Sequence, residues 1–157
     1  MATKGHGVTL EYYQVSGDSS ASAVGELVDI TVPTISKDTI EITNHSSSGV
    51  RQYMGGLLDY GECTFTVNYS NSAGSNHTEL RTLATTAFDS ADIKGDDTST
   101  YAFTITLPIE DSSNSTGAKM AFEGIVTSFE LSTPLDDVMK ASITVKVSGA
   151  VAYTAEA

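Results

Sequence analysis

Residues 38–69 read DTIEITNHSSSGVRQYMGGLLDYGECTFTVNY, and the fold turns on how this stretch is divided. Residues 39–43 alternate Thr39, Glu41 and Thr43 with Ile40 and Ile42, the period of a half-buried strand. Residues 62–69 place Cys63, Phe65, Val67 and Tyr69 on one face, a second strand of the same kind. Between them lies a long loop, residues 44–61. It opens with the polar run 44–49 and continues with Tyr53, Met54, Leu57 and Leu58 among Gly55, Gly56 and Gly61. Connections of that length without structure are uncommon inside a compact domain and are usually functional. This one carries too much apolar surface to be left in water. The reading is therefore in two parts. Ile40, Ile42, Phe65 and Val67 belong to the fold. The span 44–61 is a contact element, with Arg51, Tyr53, Met54, Leu57 and Leu58 as the side chains expected at a subunit interface.

Working outward from this stretch, residues 1–7 form a small polar arm containing glycine. Residues 8–15 alternate Val8, Leu10 and Tyr12, a first strand. Residues 16–23 are a loop by composition. Residues 26–32 place Val28, Ile30 and Val32 on one face, and Pro33 ends that strand because it has no N–H to donate. On the other side, residues 76–89 predict the one helix. Asn76 and Glu79 stand at capping-box spacing, and Leu80, Leu83, Ala84, Ala87 and Phe88 form a single stripe. Residues 90–99 are an acidic loop. Residues 100–109 alternate from Tyr101 to Ile109, with Pro108 placing the end at an edge.

Residues 118–131 form a long strand whose apolar phase slips. Met120, Phe122 and Val126 share one parity, and Phe129 and Leu131 the other, which predicts a bulge near Thr127 and Ser128. Residues 139–147 form a last alternating strand, and 149–157 a short tail with little to anchor it. The sum is a single mainly β domain over residues 1–157, an antiparallel sandwich or barrel of about seven strands with one central helix.

Composition narrows the function. Eight Lys and Arg against 20 Asp and Glu leave a net charge of −12, which argues against holding nucleic acid by its phosphates. Ser and Thr number 20 and 21, in keeping with a strand-rich chain. The one cysteine, Cys63, excludes an internal disulfide and reads as a small buried hydrophobe. No signal peptide is expected from MATKGHG, and no run approaches the ~20 apolar residues of a membrane helix. His6, His45 and His77 have no partners at metal-ligand spacing. Gly55–Gly56 is not followed by the Lys-Ser/Thr of a phosphate loop, and no nucleophile elbow is present. Asp92, Asp96 and Asp97 read as a solvated loop rather than a calcium site. No catalytic residue, cofactor or metal is expected, and the chain reads as structural.

The opening stretch then becomes specific. The run Asp38-Thr39-Ile40-Glu41-Ile42-Thr43, the element Gly55-Gly56-Leu57-Leu58-Asp59-Tyr60-Gly61-Glu62 and the strand Phe65-Thr66-Val67-Asn68-Tyr69 resemble the tail tube (major tail) proteins of long-tailed, non-contractile bacteriophages. That resemblance implies a virion subunit that assembles in the host cytoplasm into hexameric rings. The rings stack into a hollow tube on a tape-measure protein, between tail terminator and distal tail proteins. DNA passes through the lumen without specific binding. An acidic lumen would repel the phosphate backbone. Glu11, Asp29, Glu41 and Glu123 alternate with apolar residues on strands and are the candidates to line it. Two other readings stand beside this one: a β-sandwich binding or adhesin-like module displayed on a surface, and a small hydrolase.

Overall fold

The computed structural model of the chain describes residues 6–14, 21–72, 75–85, 100–111 and 113–157. Along them run β1 (Thr9–Gln14), β2 (Ser22–Val24), β3 (Leu27–Thr31), β4 (Ser36–Glu41), β5 (Tyr53–Asp59) and β6 (Glu62–Asn68). After β6 come α1 (Asn76–Thr85), β7 (Tyr101–Thr106), β8 (Lys119–Ser132) and β9 (Lys140–Thr154). Seven strands make one sheet in the order β2-β1-β7-β8-β9-β6-β3, antiparallel at every pairing. The other two, β4 and β5, pair only with each other.

The alternation read from the sequence sets the core. Cys63, Phe65 and Val67 of β6 pair with Val145, Ile143 and Ala141 of β9, and all six are buried. From the other side come Leu10 and Tyr12 of β1, Phe103 and Ile105 of β7, and Phe122 and Val126 of β8. Burying one large apolar side chain this fully stabilises by about 1.5–3 kcal/mol. The Phe103 and Phe122 rings stack with centroids 5.7 Å apart. Burial also pushes the Cys63 thiol up to about 12, so it stays protonated and inert. The phase slip in β8 is a bulge at Thr127, where the β8–β9 register shifts between Val126 and Ser128. One extra residue there returns Phe129 to the core side, opposite Ile143.

The two edges of the sheet are joined by a short link. β2 pairs with β1, β3 pairs with β6, and only Gly25 and Glu26 separate β2 from β3. Two residues span about 11 Å at most between flanking Cα atoms. The antiparallel pairings give β2 and β3 the same direction, so they are two halves of one bent strand. The bend falls at Glu26, whose φ of 56° is left-handed. The sheet therefore curls into a barrel that is not closed along its whole length. Helix α1 covers the bend. Asn76 Nδ2 donates to the Ala23 carbonyl. His77 Nδ1 accepts from the Ser70 N–H at 3.0 Å, which leaves the proton on Nε2 to donate to the Gly25 carbonyl at 2.8 Å. His77 is thus a buried structural histidine.

The structure revises several boundaries. Ser75, not Asn76, caps the helix: its carbonyl accepts from Thr78 and Glu79 and its hydroxyl from Thr78. Glu79 is occupied instead by the Tyr12 hydroxyl. Leu80 is fully buried, while Ala87, Phe88 and the helix end at 89 lie outside the described residues. So do residues 1–5 of the arm and all of the acidic loop 90–99. Val28 does not share the face of Ile30, because the β3–β6 register shifts between Leu27 and Asp29 and turns Val28 outward. The tail at 149–157 is anchored. β9 runs on to Thr154 against β8, and Ala157 exchanges backbone hydrogen bonds with Thr116. The Glu156 carboxylate accepts from the Glu110 and Asp111 N–H groups and from Asn114 Nδ2. The tail was illegible because its partners, in β8 and in residues 110–116, are distant in sequence and mostly backbone groups.

Candidate assembly surface

The span expected to be a loop is mostly strand. β4 and β5 form a hairpin inserted between β3 and β6, so the predicted loop 44–61 is corrected to a tip, residues 42–52, followed by β5. The pairing shows how it is built. Thr31 pairs with Thr64 and Ser36 with Asp59, five residues on along each strand (31 to 36, 64 to 59). β3–β4 and β5–β6 are thus one ribbon with no residue gained or lost across its break. At the break Pro33 lacks an N–H and Gly61 turns with φ +58°. Two adjacent glycines between two adjacent apolar pairs, Tyr53-Met54 and Leu57-Leu58, hid β5 from any alternation test.

Asp59 ties the base of the ribbon to the barrel. Its Oδ1 accepts from the Gly61 N–H at 3.0 Å and lies 3.5 Å from Lys146 Nζ on β9. The Gly61 N–H, then the Lys146 charge, hold its carboxyl below the ordinary carboxylate value. The tip is closed by its own polar residues. Asn44 Oδ1 accepts from Ser46 N–H at 2.8 Å, and Thr43 Oγ1 from Gln52 N–H at 3.0 Å. The body carries unpartnered apolar surface. Ile40 pairs with Met54, and both are half exposed. Ile42, Val50, Tyr53 and Leu58 are exposed, and Leu57 is 84% exposed.

All five expected interface residues fall on this one element, and all are exposed: Arg51 on the tip, Tyr53, Met54, Leu57 and Leu58 on β5. Ile40 and Ile42, read as fold residues, are corrected to the same surface. Phe65 and Val67 are core, as expected. The four acidic candidates divide. Glu11 and Glu123 lie on the barrel side facing away from the core, in adjacent rows through Thr104 and Ala102, and Asp29 is on the same side beside Thr66. Glu41 is on the ribbon, 3.9 Å from Arg51 across the hairpin. Sequence reading missed Val50 and Leu135, the latter in the β8–β9 turn and 98% exposed. A leucine following proline in an acidic turn was the available signal.

Among the described residues no group of three or more His, Cys, Asp or Glu could hold a metal, and no helix is long and apolar enough to cross a membrane. What the surface offers is a projecting, apolar, two-stranded element. Comparison with known proteins gives it a context. A family model described as phage tail tube, TTP, lambda-like matches residues 1–157. The chain belongs to this tail tube family. It is a structural component of a phage tail.

A search of curated proteins finds no match. Solved structures share the fold of this tail tube protein at low identity. The tail of an empty gene transfer agent particle with C6 symmetry is similar at TM-score 0.67 and 14% identity, over 98% of this chain and 100% of that one. The SPP1 tail tube is similar at 0.63 and 12%, over 99% and 80%. The sheath/tube terminator of an extracellular contractile injection system is similar at 0.70 and 14%, over 99% and 98%.

Proposed function

We infer that this tail tube subunit assembles into hexameric rings that stack into a hollow conduit, and that the β4–β5 ribbon is its principal contact with neighbouring subunits. The ribbon's exposure carries this reading. A two-stranded hairpin on its own is marginally stable in water, yet this one presents Ile40, Ile42, Val50, Tyr53, Met54, Leu57 and Leu58 to solvent. An apolar patch of that kind marks an interaction site. In a ring of identical subunits the covering surface is another copy. The C6 symmetry of the similar gene transfer agent tail supports a sixfold ring.

Glu11, Asp29 and Glu123 supply the acidic lining of the lumen, on the barrel side away from the core. With a net charge of −12, such a wall repels phosphate, so DNA slides through without being held. Glu41 serves the interface instead, beside Arg51. The tube would grow on a tape-measure protein, in the host cytoplasm, between terminator and distal tail proteins. Negative-stain microscopy of the concentrated purified protein tests the reading. Stacked rings or tubes are expected. A chain that stays monomeric at every concentration, and also with its tape-measure protein, overturns it.

A further inference from the structure

The outward side of the barrel is not uniformly acidic. The alternation that buries Ala141, Ile143 and Val145 of β9 turns Lys140 and Lys146 to the same side as Glu123. Glu123 lies across from Ser148, and Lys146 is the next outward residue along β9. Lys140 and Lys146 are six residues apart on one strand, a separation of about 20 Å. Lys119 of β8, in the row between Thr106 and Thr154, is the third cation on this side among the described residues.

A lysine on such a wall is a place for a phosphate to stop. The net charge of −12 does not cancel it, because at physiological ionic strength exposed charges are screened beyond about 8 Å. Only a carboxylate in contact does so. Lys140 and Lys146 each have one, and each comes from outside the barrel strands. Asp137 of the β8–β9 turn meets Lys140 Nζ at 2.8 Å, and Asp59 at the ribbon base lies 3.5 Å from Lys146 Nζ. A backbone N–H also holds each carboxylate: Val138 donates to Asp137 Oδ1 at 2.8 Å, and Gly61 to Asp59 Oδ1 at 3.0 Å. Lys146 reaches Asp59 although Glu62 is its neighbour across β6 and β9. The Lys140 hydrogen bond, then the Val138 N–H, hold the Asp137 carboxyl below the ordinary carboxylate value, as the Gly61 N–H and Lys146 do for Asp59. Both therefore stay charged at neutral pH. Among the described residues no cation forms an ion pair with Glu11, Asp29 or Glu123.

We propose that Asp59 and Asp137 are positioning residues of the conduit, holding the two β9 lysines in neutral pairs so that they cannot grip the phosphates of passing DNA. This rests on the conduit inferred above and assigns the residues that keep its wall from retaining what moves along it. The acidic side chains of the wall are left without a cation and repel phosphate. Two of its three cations are each held by a carboxylate and attract little. The two kinds of group divide the work. Glu11, Asp29 and Glu123 set the sign of the field, and Asp59 and Asp137 remove local sticking points that a distant charge cannot reach. Lys119 has no carboxylate in contact. It is kept in every variant below, so its contribution cancels.

Fluorescence anisotropy of a short labelled DNA duplex, titrated with the dispersed full chain over a series of low salt concentrations, tests this. The double variant D59N/D137N frees both lysines. It is expected to bind about tenfold tighter than wild type, with a salt slope steeper by about 0.9 for each freed lysine. The control D38N/D136N removes as many carboxylates from the same ribbon and turn, neither of them in contact with a lysine. It is expected to bind as wild type does. Adding K140Q and K146Q to D59N/D137N should return binding to the wild-type level. Equal binding by D59N/D137N and D38N/D136N overturns the role of the two aspartates and leaves the acidic wall standing. Wild-type protein that binds the duplex as tightly as D59N/D137N overturns the repelling wall as well. Dispersed subunits are measured, so neither outcome depends on whether tubes form.

Discussion

β5 and β6 follow each other in the chain with two residues between them, and they are built on opposite terms. β6 reads ECTFTVN and buries every second residue against β9 and the core. β5 reads YMGGLLD and leaves all but Gly56 exposed. Both are strands with one antiparallel partner or more. The difference is that β6 has a core on one face only, which imposes the period of two, whereas β5 has no core on either face. Alternation is therefore a signature of one-sided burial and not of strand as such. A strand without it marks apolar surface that the chain's own core does not cover.

The contrast can be attacked first from the barrel side. Phe65→Ala empties a fully buried site and should cost about 3–5 kcal/mol, read as a lowered urea midpoint, with assembly lost only as a consequence. Changing Leu57 and Leu58 together to Asp should do the reverse. The far-UV circular dichroism and melting curve stay as in the wild type, and tubes disappear from micrographs. Loss of the fold in that variant would show that the ribbon is core after all.

Acid should loosen a third place, the tail, before either. Hydrogen bonds from the Glu110 N–H and then Asn114 hold the Glu156 carboxyl below its ordinary value of 4.5. A lowered folded value means the tether is fully present above 4.5 and is lost as pH falls through that lower value. Amide exchange at Thr116 and Ala157 should rise in that range while exchange in β6 stays slow, and Glu156→Gln should abolish the pH dependence. The smallest effect is expected at the joint between the two regions. Asp59→Asn removes an exposed ion pair with Lys146, which contributes little. The barrel should melt unchanged while ribbon amides exchange faster.

Much of the barrel was legible because its signals are local. The bulge at Thr127 followed from the parity of Val126 and Phe129, and the buried state of Cys63 from its place between Phe65 and the preceding turn. β2 was not legible: Ser22, Ala23 and Val24 sit at the end of a run of small polar residues, and only pairing with Leu10 to Tyr12 makes them strand. The five expected contact residues all lie exposed on the ribbon. Ile40 and Ile42 lie there too and were not expected to, because their alternation matches that of Phe65 and Val67.

That pair of isoleucines separates the two sources of information. By itself the chain determined which residues alternate, where the phase slips and which family motif it carries, since each depends on neighbours in sequence. Only the tertiary structure decided which alternating faces meet a core. Phe65 is opposite Ile143 and is buried; Ile40 is opposite Met54 on a ribbon with solvent on both sides. Burial is a property of what packs across from a residue, and that partner is set by the pairing of distant strands.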